Sequence, residues 1–513
     1  MVGIVGRVAK SFYVTTPIYY VNDVPHIGHA YTTIAADAIA RWRRAWGDDV
    51  LFVTGTDEHG LKIQRAAEEH GVSPQEWVDR TSERFVETWQ MLDITNDDFI
   101  RTTEPRHRNS VQAFLQTVYD NGYIVLDTYE GLYCVACEAY FTPDDLVDSR
   151  CPVHDREVEQ VTEENYFFQL SRFEDRLLEY YEKNPDAVQP AGKRNEVLGF
   201  IRQGLRDFSM SRTSISWGIP LPWDERHVTY VWYDALINYL TVAGFGTDKA
   251  QFERRWPVDY HLMAKDILRF HAIYWPAMLM AAGIELPKCV FAHGYLLVGG
   301  EKMSKTRLNQ IAPADLVAEV GSDGFRYHFL ADQRFGPDGE FSYEAMIARY
   351  NSDLANNFGN LASRVLNMAT NYCGSVTPDT RADGPLATAS AKALEGCIEA
   401  FDRLDFAGAM EAVWQLIREA NTFIEDREPW KLHKAGAAEE TANVIGDCLE
   451  ALRIIALLVA PVIPRASALL WTRLGMEGTP QEQLLPGAAT WGAAVTSDNR
   501  LHKGDALFPR IET

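Results

Sequence analysis

The sequence predicts an α/β fold in which a parallel sheet is split by an inserted module and followed by a separate α-helical domain. Three observations carry this expectation. The chain opens on a strand–helix–strand pattern, the pattern stops near residue 119 and resumes after residue 226, and from residue 343 onward helical periodicity dominates.

Residues 11–16 are rich in β-branched and aromatic side chains, a strand signal, and Pro17 with Asn22 and Asp23 is expected to break it. Ile34, Ala38, Ile39, Trp42 and Trp46 then recur at helical spacing up to Gly47, and residues 50–53 form a second apolar run ending at Gly55, Thr56 and Asp57. Strand, loop, helix and strand in that order begin a βαβ unit and so a parallel sheet. Between residues 119 and 226, cysteines, prolines, acidic residues and short aromatic runs replace the alternation, as an inserted module would. Residues 260–264 read as a strand, 267–282 as an apolar helix closed by Gly283, and 289–293 as another strand. Over residues 343–474, Leu361, Val365 and Met368, then Ile454, Leu457 and Leu458, keep the spacing of buried helical faces.

At 513 residues the chain has room for about two to four domains. Its 49 Lys and Arg against 72 Asp and Glu leave a net charge of −23, which argues against bulk electrostatic coating of nucleic acid but leaves room for a local basic track. Arg41, Arg43, Arg44 and the arginines between 101 and 108 are the candidates for such a track. Seven cysteines are too few for a disulfide scaffold, and residues 1–10 lack the apolar core of a signal peptide. The most apolar stretch, residues 454–463, is short of the roughly 20 needed to span a bilayer. A reducing, cytoplasmic location without membrane contact is therefore expected. Cys289, Cys373, Cys397 and Cys448 are scattered and read as buried thiols.

Pro25-His26-Ile27-Gly28-His29 falls where the first strand hands over to the first helix. A helix N-terminus offers unpaired N–H groups and a positive dipole end, which suit phosphate, and Gly28 admits a ligand close to the backbone. Alone, the same pair is as readily a local cap. Lys302-Met303-Ser304-Lys305 follows Gly299-Gly300 far downstream; two lysines on a glycine-hinged loop suit a polyphosphate, or are simply solvated. Residues 294–300 nearly imitate a P-loop, but Gly300 stands where lysine is required. Cys134-x-x-Cys137 and Cys151-x-x-His154 have the spacing of two knuckles converging on one tetrahedral Zn²⁺, with three unrelated thiols and a surface histidine as the alternative. Four ligands leave no open position, so such a zinc is structural.

His-Ile-Gly-His after the first strand and Lys-Met-Ser-Lys after the last one together resemble the paired signature of class I aminoacyl-tRNA synthetases. Nearly the whole chain is similar to the methionine-specific members of that class, through Thr16-Pro17-Ile18-Tyr19-Tyr20, Gly55-Thr56-Asp57-Glu58-His59-Gly60, Tyr230-Val231-Trp232-Tyr233-Asp234-Ala235, Lys265-Asp266-Ile267 and Phe270-His271. The resemblance implies a split Rossmann-like sheet with a connective peptide carrying a zinc knuckle of the single-site bacterial type, then an α-helical anticodon-binding bundle. The implied spans are 1–118 and 227–296 for the two halves of the catalytic fold, 119–226 for the connective peptide, 297–342 for the Lys-Met-Ser-Lys loop and stem-contact region, and 343–513 for the anticodon-binding domain.

It also implies the chemistry. Methionine and ATP, with Mg²⁺ on the phosphates, give methionyl-adenylate, and the methionyl group passes to the 3′-terminal adenosine of tRNA(Met), initiator tRNA included. By resemblance His26, Gly28, His29, Lys302, Ser304 and Lys305 bind ATP, with His26, His29, Lys302 and Lys305 catalytic. Ile18, Tyr20, Trp232, Leu236, Tyr239, Ile267 and His271 line the methionine pocket, and Asp57 holds the ammonium group. A thioether carries no charge to grip, so selection rests on a shaped apolar pocket, aromatic contacts to sulfur and one weak donor, from Tyr20 or His271. Asn360 and Arg364 are implied to bond base edges of the anticodon and Trp430 to stack on one; without the resemblance they are a surface charge and a packed aromatic. A monomer is expected.

Overall fold

The computed structural model describes residues 10–134, 139–141, 146–152, 155–302, 311–493 and 499–512. Six parallel strands form the central sheet, in the spatial order Asp98–Arg101, Asp49–Asp57, Ser11–Tyr20, Tyr260–Ala264, Val290–His293 and Val188–Gln189. The sheet is covered on both faces, as parallel sheets are. Phe12, Val14 and Phe52 enter one core with Ile34 and Trp42, while Tyr13, Leu51 and Val53 enter the other with Phe114 and Trp275. The two-residue alternation of a strand sends neighbouring side chains to opposite layers.

Pro17 does not end the first strand, which runs on to Tyr20. The pairing with Asp49–Asp57 shifts register between Thr15 and Ile18 instead. An irregularity in the ladder absorbs the missing N–H of proline, and it lets Ile18, Tyr19 and Tyr20 pair with Gly55, Thr56 and Asp57 at the site end of the sheet. The apolar run after Tyr260–Ala264 is likewise not one regular helix. A 3₁₀ turn, Lys265–Ile267, leads into a wide π turn, Phe270–Tyr274, before the α-helix Trp275–Ala282 with left-handed Gly283 at its end. Such widened turns recur at functional sites.

Within residues 119–226 the strands Ala139–Phe141, Ile124–Cys134, Glu159–Phe168 and Phe208–Ser209 make an antiparallel sheet. The same stretch supplies Val188–Gln189, one of the two edge strands of the central sheet. Past the central sheet, Leu296–Val298 and Glu301–Lys302 form a hairpin, and Gly339–Phe341 pairs in parallel with the first of them. Gly299 and Gly300, expected as a hinge, are the two turn residues of this hairpin, at φ 62 and 78. A two-residue turn that follows strand twist requires positive φ at both positions.

The rest is helical, from Tyr343–Arg349 to Pro464–Arg473. It packs on the sheet layer without a gap. Trp42 of the first helix stacks on Phe401 at 4.4 Å, and buried Arg326 pairs with Asp37 at 2.6 Å while donating to the carbonyls of Leu92, Pro461 and Val462. Among the described residues no helix is long and apolar enough to cross a membrane.

Most of the arginines considered for a basic track have partners inside the fold, and Arg108 is exposed. Arg41 pairs with Asp37, Arg44 with Asp97, Arg101 with Glu58 and Asp79, and Arg106 with Asp98 and Glu104. Arg43 lies 4.7 Å over the Phe12 ring and 3.7 Å from Asp48. The paired guanidiniums of Arg41, Arg44, Arg101 and Arg106 hold elements of the fold together.

Candidate active site

The order of strands reverses between Ser11–Tyr20 and Tyr260–Ala264, and at the carboxyl ends of the strands lies a cleft of about 970 Å³. This is where open α/β sheets bind ligands. Ile18, Tyr20, Asp57, Trp232, Leu236, Tyr239, Ile267 and His271 all line it, as do His26, Gly28 and His29. Residues as far apart in sequence as Ile18 and His271 thus share one chamber. Cys134, Arg156, Glu157 and Glu159 of the antiparallel module form part of its rim.

The first helix, Ile27–Ala45, starts one residue after His26, which caps it. Gly28 N–H donates to His26 Nδ1 at 3.1 Å, and His26 N–H donates to His29 Nδ1 at 3.3 Å, with the two rings stacked 3.7 Å apart. The capping alternative and the phosphate reading are therefore compatible. Each Nδ1 accepts from the backbone, so a neutral ring carries its proton on Nε2 and is a donor there. Burial, with His26 nearby, holds the pKa of His29 well below the usual histidine range. The helix end is anchored from the far side by Ile27 N–H donating to the Ile311 carbonyl at 3.0 Å.

In the apolar half, Tyr239 and His271 are coupled. His271 Nδ1 lies 3.1 Å from the Ile267 carbonyl and Nε2 lies 2.8 Å from the Tyr239 hydroxyl. A carbonyl only accepts, so Nδ1 carries the proton and Nε2 accepts from Tyr239. Burial lowers the His271 pKa to about 4, which keeps the ring neutral. Both nitrogens of His271 are therefore engaged within the protein. Trp232 stacks on Phe270 at 3.8 Å, and Lys62 Nζ sits 5.5 Å over the Tyr20 ring.

Sequence reasoning missed several residues here. Thr32, one turn past His29, and His293, at the end of Val290–His293, line the cleft and meet at 2.7 Å. His293 Nδ1 donates to the Gly294 carbonyl at 2.7 Å, so its Nε2 accepts from Thr32. Lys265 binds both oxygens of Asp338 at 2.7 Å and lies over Tyr295. The helical spacing from His29 to Thr32 was the available signal; the other contacts join distant segments.

Other predicted residues lie elsewhere or beyond description. Ser304, Lys305, Cys137 and His154 fall outside the described residues, and only the backbone of Lys302 is described. Cys134 and Cys151 are both buried, 1% exposed. Among the described residues no group of three or more potential ligands is placed to hold a metal. Asn360 begins the helix Asn360–Cys373, and Arg364, one turn on, bonds Glu425 at 2.6 Å. Trp430 lies half-buried on Pro429–Lys434, which touches the first of these helices where His433 stacks on Tyr372 at 4.2 Å.

Buried neutral histidines set the acid limit of the fold. Burial brings His271, His293 and His328 to about 4 and holds His29 and His261 well below the usual histidine range. Below pH 6.5 the unfolded chain takes up protons that the folded chain does not, so stability is complete above that pH and falls towards pH 4. Each of the three histidines near 4 removes up to about 3 kcal/mol. Asp323, raised by burial to about 6, acts in the opposite sense between pH 6 and 3.8 and offsets one of them. Urea midpoints should drop steeply from pH 6.5 to 4.5; a flat profile would contradict this.

Comparison with known proteins agrees with the geometry. The family described as "tRNA synthetases class I (M)" matches residues 12–160 and 139–366, and that described as "Anticodon binding domain of methionyl tRNA ligase" matches residues 378–513. A methionine–tRNA ligase of Streptomyces coelicolor is 48% identical over 98% of this chain and 97% of its own length. One from Synechocystis is 46% identical over 98% of each. Among solved structures, the methionyl-tRNA synthetase of Mycobacterium tuberculosis in complex with methionyl-adenylate is similar at a TM-score of 0.92 and 41% identity, covering 98% of this chain and 100% of that one. With a split parallel sheet, the His-Ile-Gly-His cap in its cleft and a helical domain behind, the chain belongs to the methionyl class I aminoacyl-tRNA synthetases.

Proposed function

We infer that the chain activates methionine with ATP and transfers it to tRNA(Met). The observation that carries this reading is the single cleft lined both by the capped helix end at His26 and His29 and by the apolar wall of Trp232, Leu236, Tyr239 and His271. A carboxylate substrate is already ionised, so attack on the α-phosphorus of ATP needs no protein nucleophile. Catalysis is positioning and charge stabilisation. We propose that Asp57 binds the ammonium group, that the Nε2–H donors of His26 and His29 act on the phosphates with Gly28 giving access, and that Lys302, Ser304 and Lys305 act on the leaving pyrophosphate. Mg²⁺, arriving with ATP, neutralises phosphate charge. The 2′-hydroxyl of the terminal adenosine of tRNA then attacks the methionyl carbonyl, forming the ester as the acyl–phosphate bond breaks and AMP leaves.

Zn²⁺ held by Cys134, Cys137, Cys151 and His154 is part of this proposal, and the burial of Cys134 and Cys151 supports it. Elemental analysis of purified protein should find about one zinc per chain, in keeping with one four-ligand site. Cys151→Ser should lose it, and a metal-free, fully folded wild type would contradict the assignment. A monomeric enzyme of the cytoplasm, charging initiator and elongator tRNA(Met) alike, completes the reading; Cys289, Cys373, Cys397 and Cys448 are outside disulfides, which suits a reducing compartment.

Anticodon reading is assigned to Asn360, Arg364 and Trp430. Stacking of a base on an aromatic side chain contributes roughly 1–3 kcal/mol. Trp430→Ala should therefore lower kcat/KM for charging tRNA(Met) by about 5- to 150-fold at unchanged pyrophosphate exchange. Charging of a total tRNA pool with labelled methionine tests the reading as a whole. Label confined to tRNA(Met) is the expected result, and no labelled tRNA would end it.

A further inference from the structure

The helix Val231–Ala235 has five residues and no side-chain cap. A helix that short does not hold its own shape. Yet Trp232 within it and Leu236 just behind it are walls of the cleft. Asp234 is what fastens it. This carboxylate is fully buried, with Oδ2 accepting from His59 Nδ1 at 2.6 Å and Oδ1 accepting from His107 Nε2 at 2.7 Å. His107 Nδ1 meets the Thr241 hydroxyl at 3.1 Å. Burial by itself would raise the pKa of Asp234, but the two histidines outweigh it and hold the acid at about 2.

The three residues come from three elements. His59 lies two positions beyond Asp57, where the strand Asp49–Asp57 turns into the next helix through left-handed Gly60. His107 belongs to the helix Pro105–Asp120, and Asp234 to the short helix that carries Trp232. One buried carboxylate thus joins the loop after Asp57 to the aromatic wall. Asp234, His59 and His107 themselves are not among the residues lining the cleft.

We propose that Asp234 is a positioning residue for amino-acid selection: bound by His59 and His107, it sets the distance from the ammonium anchor at Asp57 to the side-chain pocket at Trp232 and Leu236. This rests on the methionine reading above. An uncharged, unbranched side chain is recognised by length and shape, so discrimination depends on that distance being fixed. A shared anion with two rigid imidazole donors fixes it better than packing alone, because hydrogen bonds to an ionised, buried group are short and directional.

The test is amino-acid-dependent ATP–pyrophosphate exchange with methionine, norleucine and leucine. Asp234→Asn keeps the shape but turns an N–H donor towards one imidazole. It should raise KM for methionine at least tenfold and shrink the preference for methionine over norleucine and leucine, with KM for ATP within twofold. His107→Ala should do the same, and His107→Gln, which retains an N–H donor at the right reach, should recover most of the loss; this pair serves if the Asp234 variant does not fold. A purely structural role would lower the amount of active enzyme and leave KM for methionine and the preference at wild-type values. That result overturns the proposal. Failure of the wild type to exchange with methionine would instead remove the reading on which it rests.

Discussion

Replacing His29 with alanine should slow methionyl-adenylate formation by about 10²- to 10³-fold, the loss typical of one donor to developing charge. Burial keeps this ring neutral, and the backbone N–H of His26 occupies its Nδ1, so its proton sits on Nε2 in a cleft-lining residue. That donor is in place before ATP arrives and requires no reorganisation. The lost cap lowers stability by only about 1 kcal/mol, so the variant should remain folded. Single-turnover measurement separates the effects: the rate constant should fall while the dissociation constant for methionine stays within about twofold. Equal losses in both would remove His29 from phosphate chemistry and leave it as a cap.

The second large effect is expected at Asp57. Its carboxylate is 4% exposed and ends the strand Asp49–Asp57 beside Tyr20, its pairing partner on the neighbouring strand. An ammonium group entering so dry a site forms a charge-assisted bond, and truncating one partner of such a pair removes about 2–5 kcal/mol. Asp57→Ala should therefore raise KM for methionine by roughly 30- to several-thousandfold, with KM for ATP little changed. A rise below about threefold would place the ammonium elsewhere.

Much of this architecture was legible because periodicity is a local property. Tyr260–Ala264 is a strand as its apolar run predicts, and Gly283 stops the helix that follows in the left-handed conformation that glycine permits. Pro17 misled because the rule that proline ends strands ignores an irregular step at which no N–H is needed. Gly299 and Gly300 did not announce a hairpin, since a glycine pair serves a hinge and a tight hairpin turn equally well.

The site divides along the same line. His26 and His29 sit three residues apart and declare themselves, and the apolar wall followed from resemblance. Asp234 stood in plain view within Trp-Tyr-Asp, but its partners His59 and His107 are 175 and 127 positions away, and neither has a spacing that announces it. The arginines at 41, 44, 101 and 106 looked available for RNA because sequence shows a charge and not its partner. A net charge of −23 supplies many carboxylates, and the fold uses them to pair its own guanidiniums.

The central claim, that the cleft activates methionine, is tested most directly by the identity of the adenylate it makes. The protein is incubated with ATP, Mg²⁺, inorganic pyrophosphatase and an equimolar mixture of the twenty amino acids, and the AMP conjugate retained by the enzyme is identified by mass. Methionyl-adenylate, at close to one per active chain, is the predicted result. A different aminoacyl-adenylate, or AMP released with no aminoacyl conjugate at all, would contradict the account.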